Sequence, residues 1–584
     1  MFSVMAWAWQ WMESLTVRRR TLNRSLCLLV GYATLLVYDL GMVPGINPDE
    51  AGYAEPAWTL LTRGEFGAPM FAGMFDMEHR IYTIWPGRGV MTVLPYLVFG
   101  PTLFAARIAS VVMALLLALL SGIVVRRVLD RPLVGFDWLA LVAVMTSPVV
   151  VNAGRFARPE IDVAAWSVAM IACLEAHRGG KSGVRRDLLA LAGGMCAGLA
   201  STMHQYGLVS VGAGLLIVVS VRPSHPARQL RDAGLMVSGM AIAMVPWLAF
   251  ILYDVREFQT QFGAAVANQA WRYPIGAVVR ALINELPGRF LFSRQDYPVD
   301  WDPWADASRL LVPTVSMTER WWALRLLVRI VRRPVELGPV ILDRLWWMGV
   351  TFGAIGLWIV HAVRSMRASR VLSLQILALV WITALAIVPN KWLGYSVTPT
   401  VMVGLSAYCV IDAHPGLVRL SRRWVGLLIS LTILLNTWAI GDMWMNAPRS
   451  RDTVVNELHD SVPVGARVLV PFREWYGFVD RNPAIAVDGR SLPMFGTSLV
   501  RSATEFAVEY VVLVRNLYPL ESRYYWIADD GFEWTEFLRT RTKLVKTIDG
   551  GQDGVIEVRK VVGDLTEMGV GAPLSLAQRD ALNN

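Results

Sequence analysis

The stretch Asn47-Pro48-Asp49-Glu50-Ala51-Gly52-Tyr53-Ala54-Glu55 follows the first apolar segment of the chain directly. An adjacent Asp49-Glu50 pair at a membrane edge is costly unless water, a partner or a ligand meets it. A carboxylate held there suits general-base work on a hydroxyl, provided it lies within hydrogen-bond reach. A second acidic pair, Glu160 and Asp162, comes just after Arg155 and Arg158. Glu78-His79-Arg80, His204 and the pair Lys391 and Tyr395 add polar and cationic groups of the kind that hold a phosphate. Whether these groups meet depends on the elements that carry them.

Those elements are mostly apolar. The 584 residues are 55% hydrophobic with mean hydropathy +0.44, and apolar runs of ~20 residues, enough to cross a bilayer, recur through the first three quarters. Lys and Arg exceed Asp and Glu by nine, a surplus expected in cytoplasmic loops rather than on a nucleic-acid-binding face. All four cysteines lie in apolar runs, so no disulfide framework is expected. The first run follows Arg18-Arg19-Arg20 and Arg24 and reads as an uncleaved span.

Charge orients the rest. Residues 81–99 are apolar but broken by Pro86, Gly87, Gly89 and Pro95. If they cross the membrane, five later Arg-rich loops (126–131, 178–186, 222–231, 364–370 and 419–423) fall outside. If they lie in the interface, all five fall inside, and this second arrangement obeys the positive-inside rule. The expected spans are then 25–43, 103–125, 134–153, 160–176, 188–204, 206–221, 233–253, 342–363, 371–389, 394–412 and 424–443, about eleven of ~20 residues each. A short helix over 54–62, with Pro56 in its first turn, is expected beside the interfacial one.

The chain reads as a polytopic α-helical membrane domain over 1–445, with external loops at 45–100 and 254–341, and a small external α/β domain over 446–584. Within 254–341, residues 316–333 form an amphipathic pattern with Arg325, Arg329 and Arg332 on one face, either an interfacial anchor or a grip on an anionic substrate. In the tail, a helix over 453–459 and strands at 468–470, 510–514, 544–548 and 555–558 are expected. None of the polar groups above enters the orientation argument, yet all of them fall on the outer face.

Transfer of a sugar from a polyprenyl phosphate fits that face. The donor carries its own anionic leaving group, which needs cations, and the acceptor hydroxyl needs a base. Transport would favour ionisable groups near the bilayer midplane, where this chain is almost wholly apolar.

Each residue also has an inert reading. Asp49 suits a helix N-cap, Glu50 a support for its neighbour, and Arg155 and Arg158 interface anchors. Glu160 and Asp162 are two apart and cannot share a helix face. Glu78 with His79 or His204 suggests a divalent ion, but adjacent helical residues point apart and no spaced ligand set appears. Lys391 and Tyr395, four apart, share a face.

The order of motifs carries a family resemblance. Asp49 to Glu55, Met77-Glu78-His79-Arg80-Ile81-Tyr82, Phe99-Gly100 through Ala105-Ala106-Arg107, Ser147-Pro148 to Asp162, Gly198 to His204, and Asn390-Lys391 to Tyr395 with Pro399 are similar, in order, to segments of the GT-C glycosyltransferases. The nearest branch holds the lipid A aminoarabinose transferase and the protein O-mannosyltransferases. His79 and His204 stand where relatives often carry Lys.

The resemblance implies a GT-C fold with juxtamembrane helices in the first loop, and Asp49 and Glu160 in its two acidic places. Asp49, Glu50, Glu160 and Asp162 are then the catalytic candidates. The donor-phosphate candidates are Glu78, His79, Arg80, Arg155, Arg158, His204, Lys391 and Tyr395. The implied partners are a polyprenyl-phosphate sugar, an acceptor that is lipid, glycan or protein, and membrane lipids, in a bacterial inner membrane with the site periplasmic. A protein O-glycosyltransferase is the alternative within enzymes; a lipid-linked sugar transporter or non-catalytic assembly protein is the alternative outside them.

Overall fold

The computed structural model describes residues 19–44, 46–47, 49–72, 75–179, 183–220, 226–267, 371–387, 396–413, 422–445, 451–486, 499–515, 531–549 and 555–563. Lys391, Tyr395, the expected span 342–363 and the amphipathic stretch 316–333 lie outside them.

Helix α1 (Arg19–Val37) stops before Asp39, which takes a left-handed φ of 54°. Helix α2 (Asp49–Arg63) begins five residues earlier than expected, leaving Pro56 in its interior. Its start is set by a reciprocal cap. The Asp49 N–H donates to Asn47 Oδ1 (3.0 Å), and the Asn47 N–H donates to Glu50 Oε2 (2.9 Å). Two acids in the first turn also complement the helix dipole.

Helix α3 (Pro86–Phe99) has 14 residues, so it spans ~21 Å and falls short of a ~30 Å hydrocarbon core. It exposes Val90, Leu94, Leu97 and Val98 and buries Arg88, Thr92 and Tyr96. This apolar outer face with a polar inner one suits a helix lying along lipid.

Helix α4 (Leu103–Leu129) and helix α10 (Pro226–Tyr253) are each long and apolar enough to cross a membrane. The expected single span at 134–153 is instead two helices, α5 (Gly135–Met145) and α6 (Pro148–Arg155), bent by 63°. Pro148 lacks the N–H that would continue the ladder, which accounts for the break. The bundle continues with α7 (Glu160–Gly179), α8 (Val184–Met203), α9 (Leu208–Ser220), α11 (Val255–Ala267), α12 (Leu372–Ile387), α13 (Val397–Ala413) and α14 (Arg422–Met445). By length and composition two described helices qualify as spans, three if the bent pair is one, and shorter apolar helices over Leu26–Val37, Gln205–Ser220, Leu372–Ala384, Val397–Asp412 and Val425–Trp438 stand at five more of the expected spans. Helices α8 and α10 pack closely because a Cβ on Gly194 would meet the Met236 carbonyl oxygen at 1.9 Å.

The tail folds as α15 (Arg451–Ser461), β1 (Val468–Val470), β2 (Ala484–Ala486), α16 (Leu499–Glu505), β3 (Tyr510–Arg515), α17 (Gly531–Arg541), β4 (Thr542–Asp549) and β5 (Val555–Val561). The sheet order is β2-β1-β3-β5-β4, parallel from β2 to β3 and antiparallel beyond. Strand β2, only Ala-Ile-Ala, is too short to show an alternation and has no counterpart among the expected strands.

This domain does not stand apart from the first loop. Ala51, Phe66, Ala68, Met70, Met77 and Ile81 share one buried core with Val468, Trp475, Phe478 and Val511 of the tail. Glu55 is buried at that junction, accepting the Met70 N–H (2.8 Å) and the Trp475 Nε1–H (3.0 Å). Burial pushes its carboxyl up to about 8, against the pull of both donors. A carboxyl raised in the folded state favours folding below its unfolded value near 4.5, and that contribution is lost as pH rises toward 8. Glu55→Gln does not titrate, so its stability relative to the native protein should rise from pH 5 to 8 and then level off. Thermal unfolding of both proteins across that range checks this, and parallel pH curves would contradict it.

Candidate active site

The residue beside Asp49 is the more constrained of the pair. Glu50 has no exposed surface, and its carboxylate accepts Arg107 Nε and Nη2 (2.9 and 2.8 Å), the Ala157 N–H (2.6 Å) and the Asn47 N–H. Arg107 is equally buried and also donates to the carbonyls of Leu40 and Pro44. Arg155 closes the same turn from the other side. Its guanidinium donates to the carbonyls of Leu35, Leu36, Tyr38 and Val43, taking up groups that the end of α1 leaves unpaired. Arg155 is therefore buried among backbone carbonyls and does not line an open phosphate site.

Asp49 differs from its neighbour. Its side chain is 47% exposed, and its Oδ2 is paired with Arg158 Nη1. Arg158 is buried and is aligned by Glu160 Oε1 at Nε (3.0 Å) and Nη2 (2.9 Å), and by Asn47 Oδ1 (3.2 Å). It also lies 5.7 Å over the Tyr53 ring. Glu160 and Asp162 separate as their spacing requires, because Asp162 pairs with buried Arg88 (3.2 Å), which also donates to the Ala106 carbonyl. Glu160 thus faces Arg158 and Asp49, while Asp162 ties α7 to α3.

His204 sits at the turn between α8 and α9. Its Nδ1 accepts the Tyr206 N–H (3.2 Å), so that nitrogen carries no proton and the ring is neutral in this arrangement. It lies within electrostatic reach of Arg158 and Asp49.

Glu78, His79 and Arg80 form a second group. His79 Nδ1 is 3.3 Å from Glu65. Arg80 is flanked by Asp254 (3.6 Å) and Glu257 (3.8 Å) and lies 4.3 Å over the Tyr253 ring. Burial, with Asp254 adding to it, pushes the Glu257 carboxyl up to about 7. One Glu78 oxygen is buried without a hydrogen-bond partner among the described residues. Among the described residues no three His, Cys, Asp or Glu side chains converge as metal ligands.

Sequence reasoning missed the residues that hold this second group and the first. Gln261 is wholly buried, accepts the Tyr82 N–H (2.8 Å), and donates to the carbonyls of Phe75 and Arg80. It fixes a turn in which Phe75 and Asp76 both carry positive φ. Gln261 has no signal in the sequence. Arg88 and Arg107 have one: a charge inside an apolar run needs a buried partner.

No family model matches the chain. Over 202 residues it is 24% identical to the undecaprenyl phosphate-alpha-4-amino-4-deoxy-L-arabinose arabinosyl transferase 2 of Proteus mirabilis, covering 35% of each protein. Over 115 residues it is 35% identical to the corresponding transferase of Pseudomonas aeruginosa, covering 19% of this chain and 20% of that one. The chain thus spans about a third or less of the length of these relatives. The structure superposes on ArnT from Cupriavidus metallidurans bound to undecaprenyl phosphate over 93% of this chain and 99% of that one, with TM-score 0.59 at 15% identity. This is the GT-C fold.

A second GT-C structure agrees. AglB from Archaeoglobus fulgidus, in complex with an inhibitory peptide and a dolichol-phosphate, covers 85% of this chain with TM-score 0.51 at 14% identity. The fold is that of a polytopic helical membrane protein with a C-terminal domain. Within it, Glu50→Ala would leave the buried Arg107 without its carboxylate partner, at a cost of about 3–5 kcal/mol. Replacing both residues by Met removes the charges but leaves the Ala157 and Asn47 N–H groups and the Leu40 and Pro44 carbonyls unmet, so it should recover only part of that loss. Chemical unfolding in detergent checks both variants, and a Glu50→Ala protein as stable as native would contradict the reading.

Proposed function

We propose that the chain is a glycosyltransferase that moves a sugar from a polyprenyl-phosphate donor to a lipid or glycan acceptor at the outer face of a bacterial inner membrane. The observation that carries this reading is the contrast inside the first loop. Glu50 and Glu55 are buried in structural bonds, whereas Asp49 is presented half-exposed on a preformed Arg158–Glu160 frame. Asp49 acts as the base: it takes the acceptor hydroxyl proton as the acceptor oxygen bonds the anomeric carbon and the carbon–oxygen bond to phosphate breaks. The polyprenyl phosphate departs with the electron pair. Inversion at the anomeric carbon follows from this single displacement.

Arg158 and Glu160 orient Asp49, and Glu50 and Asp162 position the backbone that carries the site. His204, with His79, Arg80, Lys391 and Tyr395, receives the phosphate. A neutral His204 contributes a hydrogen bond rather than charge, unless the phosphate raises its proton affinity. Arg80 exchanges Asp254 and Glu257 for phosphate oxygens. The relatives' names suggest undecaprenyl phosphate-α-4-amino-4-deoxy-L-arabinose as the first donor to try. A polypeptide acceptor is the second reading, motivated by the peptide held by the similarly folded AglB.

Purified protein in nanodiscs, given that donor with radiolabelled sugar and bacterial envelope fractions, should label lipid or glycan, and Asp49→Asn should lower the rate at least ~100-fold while keeping its fold. Full activity in a folded Asp49→Asn protein removes Asp49 as the base; donor movement across the bilayer without product points to a transporter. For orientation, cysteines placed at Arg185 and at Glu65 should label from opposite sides of the membrane in whole cells. Labelling from one side overturns the topology.

A further inference from the structure

The C-terminal domain reaches the helix that carries Asp49 through two adjacent side chains. Trp475 and Tyr476 lie in a short 3-10 turn, Phe472–Gly477, between β1 and β2, with ring centroids 5.0 Å apart and nearly perpendicular. The Trp475 indole is buried and donates Nε1–H to Glu55 on α2. The Tyr476 hydroxyl donates to the Glu50 backbone carbonyl (3.3 Å), one residue from Asp49. Its ring packs on the cluster formed by Ala54, Ala57 and Tyr96. Helix α2 is therefore held from two sides. The membrane bundle grips the Glu50 carboxylate through Arg107 and the Ala157 N–H, and the tail grips the Glu50 carbonyl and Glu55.

A buried indole N–H on a buried carboxyl oxygen is directional, whereas packing alone fixes no angle. Because α2 is a continuous 15-residue helix, a tilt about the Arg107 contact carries the Asp49 carboxylate with it. A displacement of about 1 Å at a catalytic group is enough to cost a large part of a rate.

We propose that Trp475 and Tyr476 are positioning residues, through which the C-terminal domain sets α2 and with it the Asp49 carboxylate. The proposal rests on the reading of Asp49 as the base. It gives the C-terminal domain a role in catalysis without a contact of its own to either substrate.

Hydrogen–deuterium exchange on the full-length protein in detergent reads α2 directly. Trp475→Phe keeps an aromatic ring and removes the N–H; Tyr476→Phe removes only the hydroxyl. In Trp475→Phe, peptides over residues 49–63 should exchange about tenfold faster, the loss expected when a buried hydrogen bond is removed and its acceptor is left unmet. Peptides from β3 and β5 should keep native rates, which separates a freed helix from an unfolded domain. In the transfer assay kcat should fall about tenfold, with the KM for undecaprenyl phosphate-α-4-amino-4-deoxy-L-arabinose within about twofold of native. Tyr476→Phe should move both readouts the same way by less.

Native exchange over 49–63 in both variants overturns the proposal, as does a lower kcat with α2 exchange unchanged. If Trp475→Phe does not fold, Tyr476→Phe decides alone by the same criteria. If the native protein transfers no sugar, the transferase reading falls, and the exchange measurement still decides whether the tail holds α2.

Discussion

The buried pair of Arg107 and Glu50 is the interaction on which the rest of this site depends. Removing two charges from water costs more than their attraction returns unless the remaining donors and acceptors are also met. Here they are met. Leu40, Pro44, Ala157 and Asn47 each give a backbone group, and together they come from three pieces of chain: the turn after α1, the start of α2 and the turn before α7. A single ion pair on α4 thus sets where three segments stand relative to one another. The arginine cage around the end of α1 adds a second constraint on the same turn.

That constraint explains why two adjacent acids differ. On a helix, neighbouring side chains leave the axis about 100° apart, so only one of Asp49 and Glu50 can point into the bundle. Glu50 takes the inward direction and Arg107. Asp49 is left on the outward side, where Arg158 meets it without enclosing it. The same logic separates Glu160 from Asp162 on α7, one toward Arg158 and the other toward Arg88. In each acidic pair, one member anchors an element and the other meets Arg158.

Much of this was legible in the sequence, and what was missed has physical reasons. Long apolar runs announce helices, so α4 and α10 stand where hydropathy places them. Pro148 is visible in the sequence, but whether a proline bends a helix or starts a new one depends on neighbours that packing supplies. Charge and topology put Asp49, Arg158 and Glu160 on one face among many other polar groups, and the resemblance gave Asp49 and Glu160 the two acidic places; the Arg158 link between them shows only in the fold. The role of Glu50 was not legible, because its partner lies 57 residues away on another helix. Arg155 looked like an open cation and is instead buried against carbonyls, since an unpaired helix end leaves no trace in residue types. Gln261 was unreadable for the same reason: its partners Tyr82 and Arg80 are backbone groups 179 and 181 residues away.

The change of composition near residue 446 marks a second domain, yet composition cannot say how tightly two domains join. A tethered module and a shared core differ only in what covers the apolar face of the first loop. In this chain Met70, Met77 and Ile81 are covered by Trp475, Phe478 and the β1 and β3 strands. A loop of that size has too little apolar surface to order itself. It must borrow a core, and the bundle supplies part of one, packing Ala54, Ala57 and Tyr96 on Ala105 and Ala106, and Tyr82 on Met244 and Trp247. The tail supplies the rest. The tail thereby becomes part of the scaffold that presents Asp49, and residues more than 400 positions away in sequence share control of one carboxylate.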